Sequence, residues 1–109
     1  MMFGLKQDTL AAIRLVLQRY AQVERAVIFG SRARGDFMPN SDIDLAVYCD
    51  NELPRGLYLD LDEAVGIYKV DVVNPNQVRN QKLRRRIAEQ GVEIYVRPTG
   101  QVLEHEVKH

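Results

Sequence analysis

The chain has 109 residues, 46% hydrophobic and 28% charged, with 15 bases against 15 acids and a formal net charge of zero. That length fits one domain with no room for a second core. The composition argues against wholesale disorder, and the neutral charge against a general nucleic-acid binder. A single cysteine, Cys49, leaves neither an intramolecular disulfide nor a multi-cysteine zinc site.

Taken in chain order, the start MMFGLKQDTL carries no apolar stretch long enough for a signal peptide or a membrane span, so a cytoplasmic protein without membrane contact is expected. From Asp8 to Tyr20 the apolar residues Leu10, Ile13, Leu17 and Tyr20 recur at helical spacing, with Asp8 as the expected N-cap. Ala26 to Phe29 is a short β-rich run that ends at Gly30, a strand feeding a tight turn. Asp42 to Tyr48 reads as a second strand, with Ile43, Leu45 and Val47 on one face. A second amphipathic helix begins near Pro54, carries Leu57, Leu61 and Val65, and closes at Gly66. Tyr68 to Val73 is a third strand, stopped by Asn74-Pro75. Asn76 is the expected cap of a last helix through Leu83 and Ile87 to Gln90, closed by Gly91. Val92 to Val96 is a final short strand. Cys49, beside an apolar run, reads as a small buried hydrophobe.

The expected fold class is therefore α/β: one domain over residues 1–109, with a small mixed sheet and helices packed on it. Its core lies at about residues 8–96, ahead of a polar tail over 97–109 whose His105 and His109 read as surface residues. Charge is distributed unevenly. Asp36, Asp42, Asp44, Asp50, Glu52, Asp60, Asp62 and Glu63 face only Arg55 in the middle of the chain, while Arg79, Lys82, Arg84, Arg85 and Arg86 form a basic run. Such a run is commonly a solvated helix face. An acidic partner, RNA or a triphosphate are the alternatives it leaves open.

The informative stretch runs from Phe29 to Asp44. A strand that ends in Gly30-Ser31 and turns into a helix presents backbone N–H groups to whatever lies above it, which suits an anion. Gly30 allows close approach, Ser31 adds a hydroxyl, and Arg32 and Arg34 can offset further negative charge. Gly30 and Gly35 have the glycine spacing of a P-loop, but Asp36-Phe37 stands where Lys and Ser/Thr are required, and no GxGxxG occurs. Asp42 and Asp44 are two apart on a strand and so share a face. Crowded carboxylates repel unless a cation sits between them, and oxygen ligands of this kind suit Mg²⁺. Asp71 is a third acid, placed among β-branched residues where it needs a role or a partner; pairing with Lys69 or an arginine is the plain alternative. Three carboxylates beside a phosphate-cradling turn point to a two-metal phosphoryl-transfer site.

Gly30-Ser31, ten residues, then Asp42-x-Asp44, with a later Asp71 on a strand, resembles the signature of the DNA polymerase β nucleotidyltransferase superfamily. Gly-Ser and Asp-x-Asp at that fixed distance arise by chance in roughly one in a thousand chains of this length. Over about residues 8–96 the chain is most similar to the minimal nucleotidyltransferases (MNT), many of which are antitoxins paired with HEPN ribonuclease toxins. The resemblance implies transfer of a nucleoside monophosphate, AMP from ATP above all, to an acceptor hydroxyl on a HEPN toxin partner. It implies two Mg²⁺ ions as cofactors, held by Asp42, Asp44 and Asp71, with Asp71 receiving the acceptor proton and Gly30, Ser31, Arg32 and Arg34 binding the nucleotide. The first alternative is a non-catalytic antitoxin that neutralises a HEPN ribonuclease by contact. The second is one subunit of a small-molecule nucleotidyltransferase, for whose acceptor pocket 109 residues leave little room. A domain of this size also leaves surface that a partner subunit, identical or different, would cover.

Overall fold

A computed structural model describes residues 2–98. Eight elements follow in the expected order: α1 (Gln7–Gln18), β1 (Arg25–Phe29), α2 (Ser31–Arg34), β2 (Ile43–Tyr48), α3 (Leu57–Ala64), β3 (Val70–Val73), α4 (Gln81–Gln90) and β4 (Val92–Val96). The strands form one sheet in the order β3-β2-β1-β4. β1 pairs antiparallel with both β2 and β4, whereas β2 and β3, joined through α3, run parallel. The sheet is therefore mixed, as expected.

Alternation along the strands sorts the side chains onto two faces. On one face Ala26, Ile28, Ile43, Leu45, Val47, Val70 and Ile94 meet Leu10, Ile13, Val16 and Leu17 of α1 and Leu57 and Leu61 of α3, forming the main core. Burying each large aliphatic there contributes about 1.5–3 kcal/mol. On the other face Val27, Phe29 and Ala46 meet Ile87 of α4, with Leu83, Tyr48 and Val73 at the edge. This second cluster is smaller, and it fixes α4 on the face from which Asp44 and Asp71 also project.

Helix starts and stops differ locally from expectation. Lys6, not Asp8, occupies the N-cap of α1 and makes no side-chain cap; Asp8 lies in the first turn, where a carboxylate suits the positive end of the helix. Asn80 rather than Asn76 caps α4, its side chain accepting from Lys82 N (2.9 Å) and Leu83 N (3.1 Å). Asn76 is engaged elsewhere: its side chain donates to Cys49 O at 2.8 Å, and its N–H donates to Asn74 Oδ1 at 3.0 Å. With Asn74, which reaches Cys49 O and Asn51 O, it ties the end of β3 to the end of β2. Cys49 is fully buried, and burial pushes its thiol above the ordinary range, so it is an inert core residue as expected. His105 and His109 lie outside the described residues.

Candidate active site

The end of β1 and the starts of β2 and β3 meet at one edge of the sheet. Phe29 pairs with Asp44 across β1 and β2, and Asp44 pairs with Asp71 across β2 and β3. Gly30-Ser31, Asp44 and Asp71 thus stand in a row across three neighbouring strands, with Asp44 in the centre. Asp42 precedes β2, two residues before Asp44, and the Ile43 N–H between them donates to Lys69 O at 2.8 Å. That bond ties the start of β2 to the chain entering β3.

Gly30 is required for two reasons. Its φ of 78° and ψ of −154° belong to glycine backbone. A Cβ placed there would collide with the Asp44 carboxylate, whose Cγ lies 3.1 Å from that position. The backbone at the turn therefore lies against the carboxylate, and any group held by the turn is held next to Asp44. Ser31 follows as the first residue of α2. That helix has four residues, so the local N–H groups of the turn, rather than a long helix dipole, supply its attraction for anions.

The three arginines near the turn have different tasks. Arg32, expected as a nucleotide contact, is 2% exposed. It donates to Ser41 O (3.2 and 2.9 Å), Pro39 O (3.3 Å) and Phe3 O (3.0 Å), and lies over the rings of Phe37 and Tyr68. These four hydrogen bonds to three carbonyls secure the loop that delivers Asp42. Arg34 is exposed and pairs with Asp36 at 3.1 Å, and its Nη1 donates to Gln90 Oε1 at 3.2 Å, bridging α2 to the end of α4. Arg86, in the basic run, lies near enough for its charge to act on Asp44, as does that of Arg34.

Burial raises the pKa of Asp44 above its usual value, and the negative charges of Asp71 and Asp42 raise it further; Arg86 and Arg34 oppose the shift. An all-oxygen donor set in which negative charge is crowded in this way fits a hard divalent cation. Among the described residues no three acids, histidines or cysteines are already drawn into one ligand group. Asp71 is exposed, and its strand neighbour is Asp44 rather than a base. The two ion pairs among the described residues, Arg25–Glu93 and Arg34–Asp36, do not involve it. The alternative of a simple Asp71–Lys69 pair is therefore absent.

Sequence reasoning missed the approach of Arg86 and Gln90 to this edge. The signal was present, because Leu83, Arg86, Ile87 and Gln90 fall on one side of a helix. The basic residues around them masked it. Three of the other basic residues face elsewhere: Arg79, Arg84 and Arg85, with Gln81, line a shallow groove of about 330 Å³, and Arg84 Nη1 donates to Val78 O at 3.4 Å.

Comparison with known proteins gives the family and the fold. A family model described as "Polymerase beta, Nucleotidyltransferase" matches residues 11–99. No curated protein matches the sequence. Among solved structures, the chain is similar to one in a toxin–antitoxin crystallised with AMP-PNP, at 24% identity over 86% of this chain and 78% of that one, with a TM-score of 0.69. It is also similar to one in the toxin–antitoxin MntA–HepT, at 22% identity over 90% and 79% of the two chains (TM-score 0.65). A third is in the complex of a tri-AMPylated Shewanella oneidensis HEPN toxin with its MNT antitoxin, at 21% identity over 91% and 79% (TM-score 0.65). At these identities the likeness establishes a shared fold. No helix among the described residues is long and apolar enough to cross a membrane.

Proposed function

The chain belongs to the polymerase beta nucleotidyltransferase family, and from that premise we propose that it transfers a nucleoside monophosphate, AMP from ATP, to a hydroxyl on a HEPN-type partner and so serves as an antitoxin. The observation that carries this reading is the in-register pair Asp44 and Asp71 beside a glycine turn with no room for a Cβ. It sets negative ligands for cations and a close-approach surface for phosphates side by side. The solved complexes of the same fold support the nucleotide and the partner, since one holds AMP-PNP and another an AMPylated HEPN toxin.

In this reading the triphosphate lies over the Gly30-Ser31 turn, where the backbone N–H groups and the Ser31 hydroxyl donate to its oxygens. Arg34, held by Asp36 and Gln90, adds positive charge at the rim. Asp42, Asp44 and Asp71 would hold two Mg²⁺ ions, which when bound supply charge neutralisation at the attacking and leaving oxygens. Asp71, the exposed member, accepts the acceptor hydroxyl's proton. The acceptor oxygen then forms its bond to the α-phosphorus as the α–β bridging P–O bond breaks. Pyrophosphate leaves with that electron pair, and the proton passes from Asp71 to solvent. The protein's contribution is mainly positioning and electrostatics, because phosphoryl chemistry needs little covalent help.

The alternative is an antitoxin that acts by contact alone. One experiment separates the two. The protein is incubated with Mg²⁺ and each α-³²P-labelled NTP, with and without a co-expressed HEPN partner, beside Asp42→Asn and Asp44→Asn. Label on the partner with wild type only is the expected result. A tight complex of folded proteins without label would overturn the transferase reading in favour of contact.

A further inference from the structure

The Gly-Ser turn and the carboxylates account for one side of a triphosphate site, and α4 stands on the same sheet face. Its packing residues Leu83 and Ile87 sit against Val27, Phe29, Ala46 and Val73. Ala46 is the next residue after Asp44 on that face of β2, and Val73 the next after Asp71 on β3. At 3.6 residues per turn, Leu83, Arg86, Ile87 and Gln90 fall within an arc of roughly 100°. Gln90 is fixed towards the turn by its bond from Arg34. Arg86 lies one helical turn before Gln90 and therefore faces the same edge.

Of the arginines that reach this edge, Arg32 spends its donors on three carbonyls and Arg34 is held by Asp36 and Gln90. Arg86 is exposed and takes part in neither of the two ion pairs among the described residues. Arg79, Arg84 and Arg85 of the basic run are turned to a separate groove, while Lys82 lies one helical turn before Arg86. A planar guanidinium with uncommitted donors, beside acids and facing a phosphate-binding turn, suits a polyphosphate.

We propose that α4 forms the cationic wall of the nucleotide site, with Arg86 binding the β- and γ-phosphates that leave as pyrophosphate. This rests on the nucleotidyl-transfer reading and deepens it, assigning recognition of the triphosphate end to a helix outside the Gly-Ser signature. The contact distinguishes a nucleoside triphosphate from its monophosphate, because only the former carries the groups Arg86 meets. It also sets Arg86 apart from Arg79, Arg84 and Arg85, which line the separate groove.

The test is isothermal titration of wild type, Arg86→Gln, Arg86→Lys and Arg85→Gln with each NTP and the matching NMP, in Mg²⁺ at low salt. Loss of one charge-assisted contact weakens triphosphate binding by about tenfold. Arg86→Gln is expected to show that loss for the NTP and little change for the NMP. Arg86→Lys, which keeps the charge and loses the fork, falls between, and Arg85→Gln matches wild type. Arg86 is exposed, so the variants keep the wild-type fold, which circular dichroism checks. Unchanged NTP affinity in Arg86→Gln overturns the proposal, and so does an equal loss in Arg85→Gln, which would mean diffuse charge alone. If wild type itself binds no NTP, the transferase reading falls first; binding by wild type with an unaltered Arg86→Gln sinks only the role of α4.

Discussion

Replacing Asp44 with Asn should abolish transfer and yet make the metal-free protein more stable. Asp44 and Asp71 are direct neighbours on adjacent strands, and strands lie about 5 Å apart. Two unit charges at that distance repel by about 1 kcal/mol in water and about 3 kcal/mol at an effective dielectric of 20. Asp71 is exposed and Asp44 only partly buried, so the lower figure applies. The opposing charges of Arg86 and Arg34 reduce it again, to roughly 0.5–1 kcal/mol. For a domain of about 100 residues that corresponds to a rise in Tm of roughly 2–8 °C. The assay is thermal unfolding at neutral pH and low ionic strength with a chelator present, repeated at high salt, where the gap should shrink. The sign with pH follows from the raised pKa of Asp44. The penalty is fully present above the folded pKa. Stability is recovered as pH falls through that value towards the unfolded one, and the Asn variant lacks this recovery. An Asn variant that melts at or below wild type without metal would refute the argument that Asp44 is held against its own charge.

Two further substitutions test the scaffold. Gly30→Ala forces a Cβ into the Asp44 carboxylate on positive-φ backbone, so it should cost about 1–3 kcal/mol in urea unfolding and remove transfer; wild-type stability together with wild-type transfer would contradict the close approach. Arg32→Met strips donors from the carbonyls of Phe3, Pro39 and Ser41, and a loss of about 3 kcal/mol is expected from the urea midpoint. A loss below about 1 kcal/mol would show that the loop before Asp42 holds itself.

How far the sequence reached can be followed through particular residues. Helical periodicity placed α1 and α3, and alternation put Ile43, Leu45 and Val47 on the buried side of β2, because both signals are local and repeat within a few residues. The candidate site was legible through Gly30-Ser31 and Asp42-x-Asp44 because its parts sit on one continuous strand–turn–strand segment. Helix caps were read less well. Asn76 and Asn80 are equally good capping residues in isolation, and Asn76 is diverted to the Cys49 carbonyl, 27 residues away.

By itself, then, the sequence determined the order of elements, the buried faces and the presence of a glycine turn next to paired acids. Only the tertiary structure decided that Asp71 aligns with Asp44, that Arg32 is buried against the carbonyls of the loop before Asp42, and that α4 brings Gln90 to Arg34 and Arg86 near Asp44. The physical reason is range. A turn or a helix face depends on neighbours a few residues apart, whereas strand register and helix docking are chosen by how the whole core packs. The Arg34–Gln90 bond that joins the turn to α4 spans 56 residues, and no local pattern along the chain encodes it.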